Sequence, residues 1–293
     1  MFRWISIRCF RFRRGLDSRL PNLKTYSPMP FTPAHIVAVL PLRNSRLVWS
    51  ALIVGAIAPD FEYFLRLAPD DGYGHTLAGS LLLTLPLAIL ALWLFHAIVK
   101  KPLIELFPDA AQRRLTKYAG EFCFGGLARF TLIVISIMVG MLTHLLWDSF
   151  THPNTLLYRS WPLLRQRVSV PLVGATPVYK LLQHGSTVLG LGALLMVLLR
   201  WHRTTEISTQ PIASARAWPL PKMMVWIVVT VIALLGGVIR AILAIGFPST
   251  RFADAHFASL LVVTSIALLW WELVLYGFLQ SKNQTADPSL HSG

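Results

Sequence analysis

The segment THLLWDSFTHP, residues 143–153, ends a long apolar stretch with three ionisable side chains. His144, Asp148 and His152 are spaced four residues apart, so a helix would place all three on one face. Ionisable groups at membrane depth are costly, and by default they line a cavity or meet a partner. Imidazole and carboxylate groups together are the ligands that Zn²⁺ and similar divalent ions prefer. The segment therefore predicts a metal pocket at the end of a helix.

Other ionisable residues fall at the ends of neighbouring apolar runs. The order of the predicted membrane crossings brings these residues to the same face of the membrane: His35, Asp60, Glu62, His75 and His184. Each of these histidines on its own is more typical of an interhelical hydrogen bond than of a metal ligand. Considered together, the histidines and carboxylates favour a metal or catalytic site.

A divalent ion held by this cluster would have a defined chemical use. Such an ion lowers the pKa of a bound water towards neutrality and so provides a nucleophile for hydrolysis. A carboxylate that does not bind the ion would act as a general base or orient a ligand histidine. There is no Gly-x-Ser-x-Gly elbow, phosphate-binding glycine loop or His-Glu-x-x-His pair. The sequence therefore gives no support to a serine hydrolase, a nucleotide-driven pump or a zincin protease.

The composition identifies the elements that must position this cluster. Of the 293 residues, 55% are hydrophobic and only 14% are charged, which is typical of a multi-pass membrane protein. Stretches without Asp, Glu, Lys or Arg cover 72–99, 130–147, 181–199, 223–239 and 255–271. Each is close to the roughly 20 residues that a helix needs to cross a bilayer. A shorter apolar run at 47–59 suggests a buried or re-entrant helix.

These runs predict an all-α polytopic fold with about five spanning helices and a short N-terminal helical hairpin. The helical membrane domain is expected over 29–280, with a polar tail at 281–293. Residues 1–28 carry seven of the 27 Lys and Arg but no apolar core of signal-peptide length. We expect this stretch to be a basic extension that is disordered or not native to the protein.

The net charge of +14 lies mainly in the loops between apolar runs. Topogenic charge explains this distribution better than nucleic-acid binding, which we exclude. From residue 99 onward, more Lys and Arg fall on the face opposite the cluster, so the cluster should face the extracytoplasmic side. The connection 153–180 carries Tyr158, Trp161, Arg159, Arg165 and Arg167. That mixture is most typical of an ordinary anchor at the lipid interface. If the site is catalytic, the same residues favour a phosphate- or ester-bearing lipid as the substrate.

Five sequence blocks resemble those of an uncharacterised bacterial family of multi-pass membrane proteins. The blocks are MPFTPAH, GAIAPDFEYF, GHTLAGSLLLTLPLAILALWLFH, THLLWDSFTHP and VYKLLQHGS. That family is distantly similar to inner-membrane proteins that are predicted to be metal-dependent hydrolases, and more remotely to zinc-dependent phospholipase C. The positions that correspond to the motif residues of the hydrolases are His35, Asp60, His75, His144 and Asp148. This sequence has Phe-Glu after Pro-Asp where the relatives often have a second Asp, so the resemblance leaves the number of metals open.

Two hypotheses follow. The first is a metal-dependent hydrolase of the bacterial inner membrane that acts on a lipid or amphiphilic phosphoester. Its metal, zinc or alternatively manganese, would be held by residues chosen from His35, Asp60, His75, His144, Asp148 and His152. Glu62 or Asp148 would serve as the catalytic base. The second hypothesis is a non-enzymatic membrane protein, a transporter or an assembly factor, that uses the same cluster to handle ions or protons.

Overall fold

The computed structural model describes residues 31–69, 72–171, 174–208, 221–247 and 251–285, so the predicted extension at 1–28 lies outside the described residues. The chain begins with a 3-10 helix, Thr32–Leu42, and shorter 3-10 turns follow at Ala58–Asp60, Tyr73–His75 and Thr116–Tyr118. The helices are α1 Trp49–Ile57, α2 Phe61–Arg66, α3 Leu77–Leu106, α4 Asp109–Leu115, α5 Leu127–Thr151, α6 Leu156–Ser160, α7 Pro162–Arg165, α8 Val178–Thr204, α9 Lys222–Ile245 and α10 Arg251–Thr285. Strands β1 Arg167–Val170 and β2 Gly174–Pro177 form one antiparallel hairpin.

Five helical stretches within the described ranges are long and apolar enough to cross a membrane. They are Leu77–Leu106, Leu127–Ser160, Val178–Thr204, Lys222–Ile245 and Asp254–Lys282. Many of their large apolar side chains are exposed, as lipid-facing residues are; Leu142 and Leu189, for example, are 65% and 75% exposed. The predicted all-α polytopic fold with five spanning helices is confirmed.

The predicted N-terminal hairpin consists of the 3-10 helix and α1. It packs on α5, and α1 reaches α5 through two glycines that face each other's helix. A Cβ atom on Gly55 would lie 2.2 Å from the carbonyl oxygen of Ile137, and one on Gly140 would lie 2.4 Å from that of Leu52. The absence of side chains at both positions lets the two backbones approach closely. This contact places the C-terminal end of α1 beside the last three turns of α5.

Helix α3 is not a regular α-helix. It contains π-helical turns at Ser80–Thr84 and Phe95–Val99. The first turn ends immediately before Leu85-Pro86, where proline lacks the N–H that an α-helix requires. The wider turn absorbs this defect, and it directs Ser80 and Thr84 inward, where both are buried.

The long connection after α5 contains regular secondary structure. It contains α6, α7 and the β-hairpin, in which Arg167 pairs with Pro177. At the far end of the chain, α9 and α10 pack as an antiparallel pair against the second half of α3. Helix α10 continues to Thr285, so the first residues of the predicted polar tail are helical.

Candidate metal centre

Four separate elements deliver ionisable side chains to one buried cluster. The 3-10 helix contributes His35, the turn Ala58–Asp60 contributes Asp60, and the turn Tyr73–His75 contributes His75. Helix α5 contributes His144 and Asp148, and His152 is the C-cap residue that directly follows this helix. Five of the six are buried, and the His75 side chain is 19% exposed. All six predicted metal ligands therefore lie together, and we call this set of six residues the His/Asp cluster.

The two aspartates lie between the histidines. Asp60 Oδ1 is 3.4 Å from His75 Nε2 and 3.5 Å from His144 Nε2. Asp148 Oδ2 is 3.0 Å from His144 Nε2 and 3.4 Å from His75 Nε2, so each aspartate contacts both of these histidines. The other Asp148 oxygen, Oδ1, is 3.6 Å from His35 Nε2 and 3.4 Å from His152 Nδ1.

The backbone fixes which nitrogen of His144 carries a proton. Nδ1 lies 2.8 Å from the carbonyl oxygen of Ala56, which can only accept, so Nδ1 donates this hydrogen bond. In the neutral imidazole, Nε2 then presents a lone pair to the two carboxylates. Within the described part of the chain, neither His144 Nε2 nor Asp148 Oδ1 has a hydrogen bond of acceptable geometry. Electron-rich atoms held this close need a cation among them, either a proton or a metal ion.

The spacing of these atoms fits a metal ion. Two triads have ligand atoms within 4.8 Å of one another, namely His35–Asp60–His144 and His75–His144–Asp148. A tetrahedral Zn²⁺ with bonds of about 2.0–2.2 Å separates its ligand atoms by roughly 3.3–3.6 Å. The four His–Asp distances that involve His75 and His144 run from 3.0 to 3.5 Å. Since His144 belongs to both triads, the arrangement suits one ion near His144 or two neighbouring ions.

Thr32 is a member of the site that sequence reasoning missed. Its hydroxyl donates to Asp60 Oδ2 at 2.5 Å, which leaves Oδ1 directed at the histidines. The N-cap residue of the 3-10 helix is Phe31 and no side chain caps the helix, so Thr32 is its first helical residue and directs its hydroxyl to Asp60. In a 3-10 helix, residues three apart lie on the same face, so Thr32 and His35 both face the cluster. The spacing Thr-x-x-His was the signal available in the sequence.

A second set of buried polar groups holds the loop before His75. Glu62 Oε2 accepts the N–H of Gly74 at 2.7 Å, and Ser80 Oγ donates to the Gly74 carbonyl at 3.0 Å. Glu62 also forms an ion pair with Arg66 at 2.5 Å. Its carboxylate is thus used to anchor the loop that carries His75, and it makes no ion pair with a histidine of the cluster among the described residues. Its predicted catalytic role stays a prediction.

The electrostatics of the residues outside the spans reflect this arrangement. Burial opposes protonation of His75, but hydrogen bonds to Asp148 and Asp60 outweigh it and raise the His75 pKa to about 9. Burial, reinforced by the nearby His144, lowers the pKa of His35 to about 4. The Asp60 pKa lies well below its usual range because His144 and His75 outweigh the effect of burial. The His35 and His144 rings stack with centroids 3.9 Å apart, which disfavours a charge on both.

His184 lies outside the cluster. It is exposed on α8, whereas the preceding residue, Gln183, is fully buried and has no partner for its amide among the described residues. The sequence suggested a packed hydrogen bond for His184, and the described residues contain no such bond. His184 therefore serves as a natural control for the histidines of the cluster.

Comparison with known proteins identifies a family for most of the chain. Residues 29–278 match the model of a family described as a domain of unknown function, DUF4184. No curated protein and no solved structure matches the chain. The matched region contains every residue of the His/Asp cluster and all five candidate membrane spans, except for the last residues of the fifth.

Proposed function

We propose that this chain, which belongs to the DUF4184 family, is a membrane-embedded metal-dependent hydrolase. One observation carries the proposal: ligand atoms of three histidines and two aspartates, which come from four separate elements, lie within 4.8 Å of one another in two overlapping triads inside a helical membrane protein. Interhelical glue alone would favour aligned hydrogen bonds in place of these contacts. Ionisable groups gathered at membrane depth mark a functional site by default. Imidazole and carboxylate together are the donor set that metal hydrolases use.

The residues of the site would have different roles. His35, His75, His144, Asp60 and Asp148 would hold the ion, with His152 beside Asp148 as a further candidate ligand. A divalent ion in this site supplies Lewis-acid activation of water and of the substrate oxygen. Mixed nitrogen and oxygen donors suit zinc best and also accept manganese. Ala56 and Thr32 orient His144 and Asp60 from outside the ligand set, as supporting hydrogen bonds do in metal sites.

Asp148 is the better of the two candidates for the base. Its Oδ1 atom has no aligned hydrogen bond in the described structure and lies within reach of His35 and His152. A proton taken from water by this oxygen would pass to one of these imidazoles. Glu62 instead binds Gly74 and Arg66, so we assign it the role of a positioning residue.

The surface beside the cluster supports an amphiphilic phosphoester as the substrate. His152 ends α5, and the connection that follows exposes Trp161, Leu156 and Leu163 by 52%, 79% and 54%. Arg159, Arg165 and Arg167 are exposed on the same connection. Apolar side chains beside guanidinium groups match a lipid tail beside a phosphate. The excess of positive charge on the opposite face supports a site on the extracytoplasmic side of a bacterial inner membrane.

Elemental analysis of the purified, detergent-solubilised protein tests the proposal. We expect about one or two zinc or manganese ions per chain, and none in the His144→Ala/Asp148→Ala variant. His184→Ala is the matched control, because this exposed histidine makes no hydrogen bond, ion pair or ring contact with the cluster among the described residues. The metal content of this variant should equal that of the wild type. Protein that holds metal is then assayed with bis(4-nitrophenyl) phosphate and with phosphatidylglycerol, and the double variant should be inactive.

The opposite outcome separates this function from the alternative. If the wild type and the double variant both fold and neither holds metal, the hydrolase proposal fails. The cluster would then be interhelical glue or an ion or proton path, and flux through proteoliposomes under an imposed potential would become the informative measurement.

A further inference from the structure

A basic cavity lies between the C-terminal end of the 3-10 helix, α4 with the turn that follows it, and the C-terminal half of α8, and no residue of the candidate metal centre lines it. The cavity has a volume of ≈ 810 Å³, within the range of roughly 300–1,000 Å³ that is usual for small-molecule sites. Five cationic side chains line it, namely Arg43, Arg113, Arg114, Lys117 and Arg200. The first follows the 3-10 helix, the next two lie in α4, the fourth lies in the turn after α4, and the last lies in α8. Among the described residues that line the cavity, only Glu206 carries a carboxylate. The cavity is therefore a strongly positive pocket.

This basic cavity lies at the opposite end of the protein from the His/Asp cluster. The 3-10 helix and α8 run side by side in the same direction, since Phe31 meets Thr187 and Ala34 meets Gly190. From Thr187 to Arg200, α8 rises by about 20 Å. From His35 to Arg43, the 3-10 geometry rises by about 16 Å. The cavity therefore lies roughly 16 Å from the cluster along the direction of these two helices, towards their other end.

The cations of the cavity are not neutralised by the described residues. None of the five forms an ion pair with a carboxylate there, and Arg114 Nη1 binds only the carbonyl of Ala110, at 2.9 Å. The Nε atom of Arg114 is buried without a partner. Guanidinium groups gathered without counter-charge need an anion, and phosphate matches their planar donors best.

Two features indicate that the anion belongs to a lipid. A groove of ≈ 400 Å³ shares Arg200 and Thr204 with the cavity and continues along Met196 and Leu199 on the spanning helix α8. Met196 is 66% exposed and points away from the bundle, where an acyl chain would lie. At the mouth, Trp201 Nε1 donates to the Tyr118 hydroxyl at 3.3 Å, and such aromatic rings are typical of headgroup depth.

We propose that this cavity binds the phosphate headgroup of an anionic phospholipid while one acyl chain occupies the groove beside Met196 and Leu199. Basic pockets between spanning helices recognise lipid phosphates in this way. The site would anchor α4 and the C-terminal end of α8 to the membrane surface. It is independent of the metal centre, so the failure of either proposal leaves the other standing.

Native mass spectrometry of the full-length, detergent-purified protein measures this binding. The protein is titrated with phosphatidylglycerol and, separately, with phosphatidylcholine of the same acyl chains. We expect the wild type to bind phosphatidylglycerol at least about tenfold more tightly. Arg113→Gln/Arg200→Gln should lose this preference, and so should Arg43→Gln/Lys117→Gln. The second pair replaces exposed side chains, so it tests the site even if the first variant folds poorly.

Lys101→Gln/Arg129→Gln is the matched control. It removes two exposed charges near the ends of other spans, outside the cavity lining, and should keep the full preference. Equal binding of the two lipids by the wild type, or an equal loss in the control, would mean that the basic residues act only through net charge and would overturn the proposal. Displacement of the lipid by an equimolar amount of glycerol 3-phosphate would also overturn it, in favour of a soluble phosphate ligand.

Discussion

His144 Nε2 and Asp148 Oδ2 lie 3.0 Å apart on successive turns of α5, and the opposite nitrogen of His144 is held by the carbonyl of Ala56. This pairing commits His144 to one tautomer and leaves its free lone pair facing a carboxylate. The contact is repulsive unless a cation joins the two atoms. The chemistry proposed for the protein depends on whether that cation is a metal ion or a proton.

Asp148→Asn separates these two cases. The amide keeps the size of the side chain and can donate to His144 Nε2, so the fold should survive without any cation. We expect the variant to lose at least about a hundredfold in metal affinity, since a charged ligand is removed, and to lose hydrolysis. Metal content and the midpoint of thermal unfolding are measured together. Retention of wild-type metal content would contradict the placement of Asp148 in the ligand set.

Thr32→Val tests the support of Asp60. Valine has the shape of threonine but cannot donate to Asp60 Oδ2, so this carboxylate would rotate more freely and leave a buried oxygen unpaired. We expect metal affinity to fall about 10–100-fold, as it does when supporting hydrogen bonds are lost in other metal sites. Competition with a chelator gives the affinity. Thr32→Ser restores the hydroxyl and should restore binding; if it does not, the hydroxyl is not the cause.

Gly55→Ala tests the close approach of α1 and α5. The new methyl group would meet the Ile137 carbonyl at 2.2 Å, so the helices must separate and carry Ala56 away from His144. We expect a loss of roughly 1–3 kcal/mol in the free energy of unfolding, together with weaker metal binding. Gly192→Ala on α8 is the control, because nothing lies within 4 Å of the position of its Cβ atom. This alanine should be neutral or slightly stabilising.

The apparent affinity for metal should increase with pH. In the metal-free protein, the raised pKa of about 9 keeps His75 protonated at neutral pH, so a metal ion must displace that proton. Affinity should therefore rise by up to about tenfold per pH unit below pH 9 and level off above it, as far as His75 is concerned. The same shift stabilises the metal-free fold below the unfolded pKa of about 6.5, and this contribution is lost as the pH rises through 9. Zinc titrations between pH 6.5 and 8.5 measure the slope, and a flat profile would contradict the role of His75.

Much of the site could be predicted from the sequence because the spacing of a helix is regular. The interval of four residues between His144, Asp148 and His152 is enough to place them on one face of a helix. His75 could be added because apolar runs of membrane-spanning length fix which ends lie on the same side. His35 and Asp60 could be added because two short helices in an antiparallel hairpin return to the same end.

The remaining features of the site could not be predicted, because they depend on contacts between segments that are distant in the sequence. The hydrogen bond from Thr32 to Asp60 joins residues 28 positions apart and requires a 3-10 helix whose length is uncommon. The bond from His144 to Ala56 spans 88 positions and exists only because Gly55 and Gly140 bring two backbones together. Neither follows from hydropathy, since hydropathy describes burial but not which helix lies opposite.

Substitutions of Glu62 distinguish a positioning role of its carboxylate from a catalytic one. Its carboxylate accepts the N–H of Gly74, and a Cβ atom on Gly72 would lie 2.1 Å from it, so the loop before His75 is folded directly over this side chain. Glu62→Gln keeps an oxygen for Gly74 and loses the ion pair with Arg66, whose side chain is 57% exposed and so contributes little. Glu62→Ala leaves the Gly74 N–H buried and unpaired, at a cost of about 1–3 kcal/mol.

If Glu62 only positions His75, the effects of the two substitutions should depend on whether the hydrogen bond to Gly74 is kept. Glu62→Gln should keep its metal and most of kcat, while Glu62→Ala should lose stability and bind metal more weakly. If Glu62 is the base, Glu62→Gln should instead retain metal and stability but lose kcat as fully as Asp148→Asn, because an amide cannot take a proton from water. Measurement of kcat, metal content and thermal midpoint for the two Glu62 variants decides whether Glu62 is the base or only positions His75.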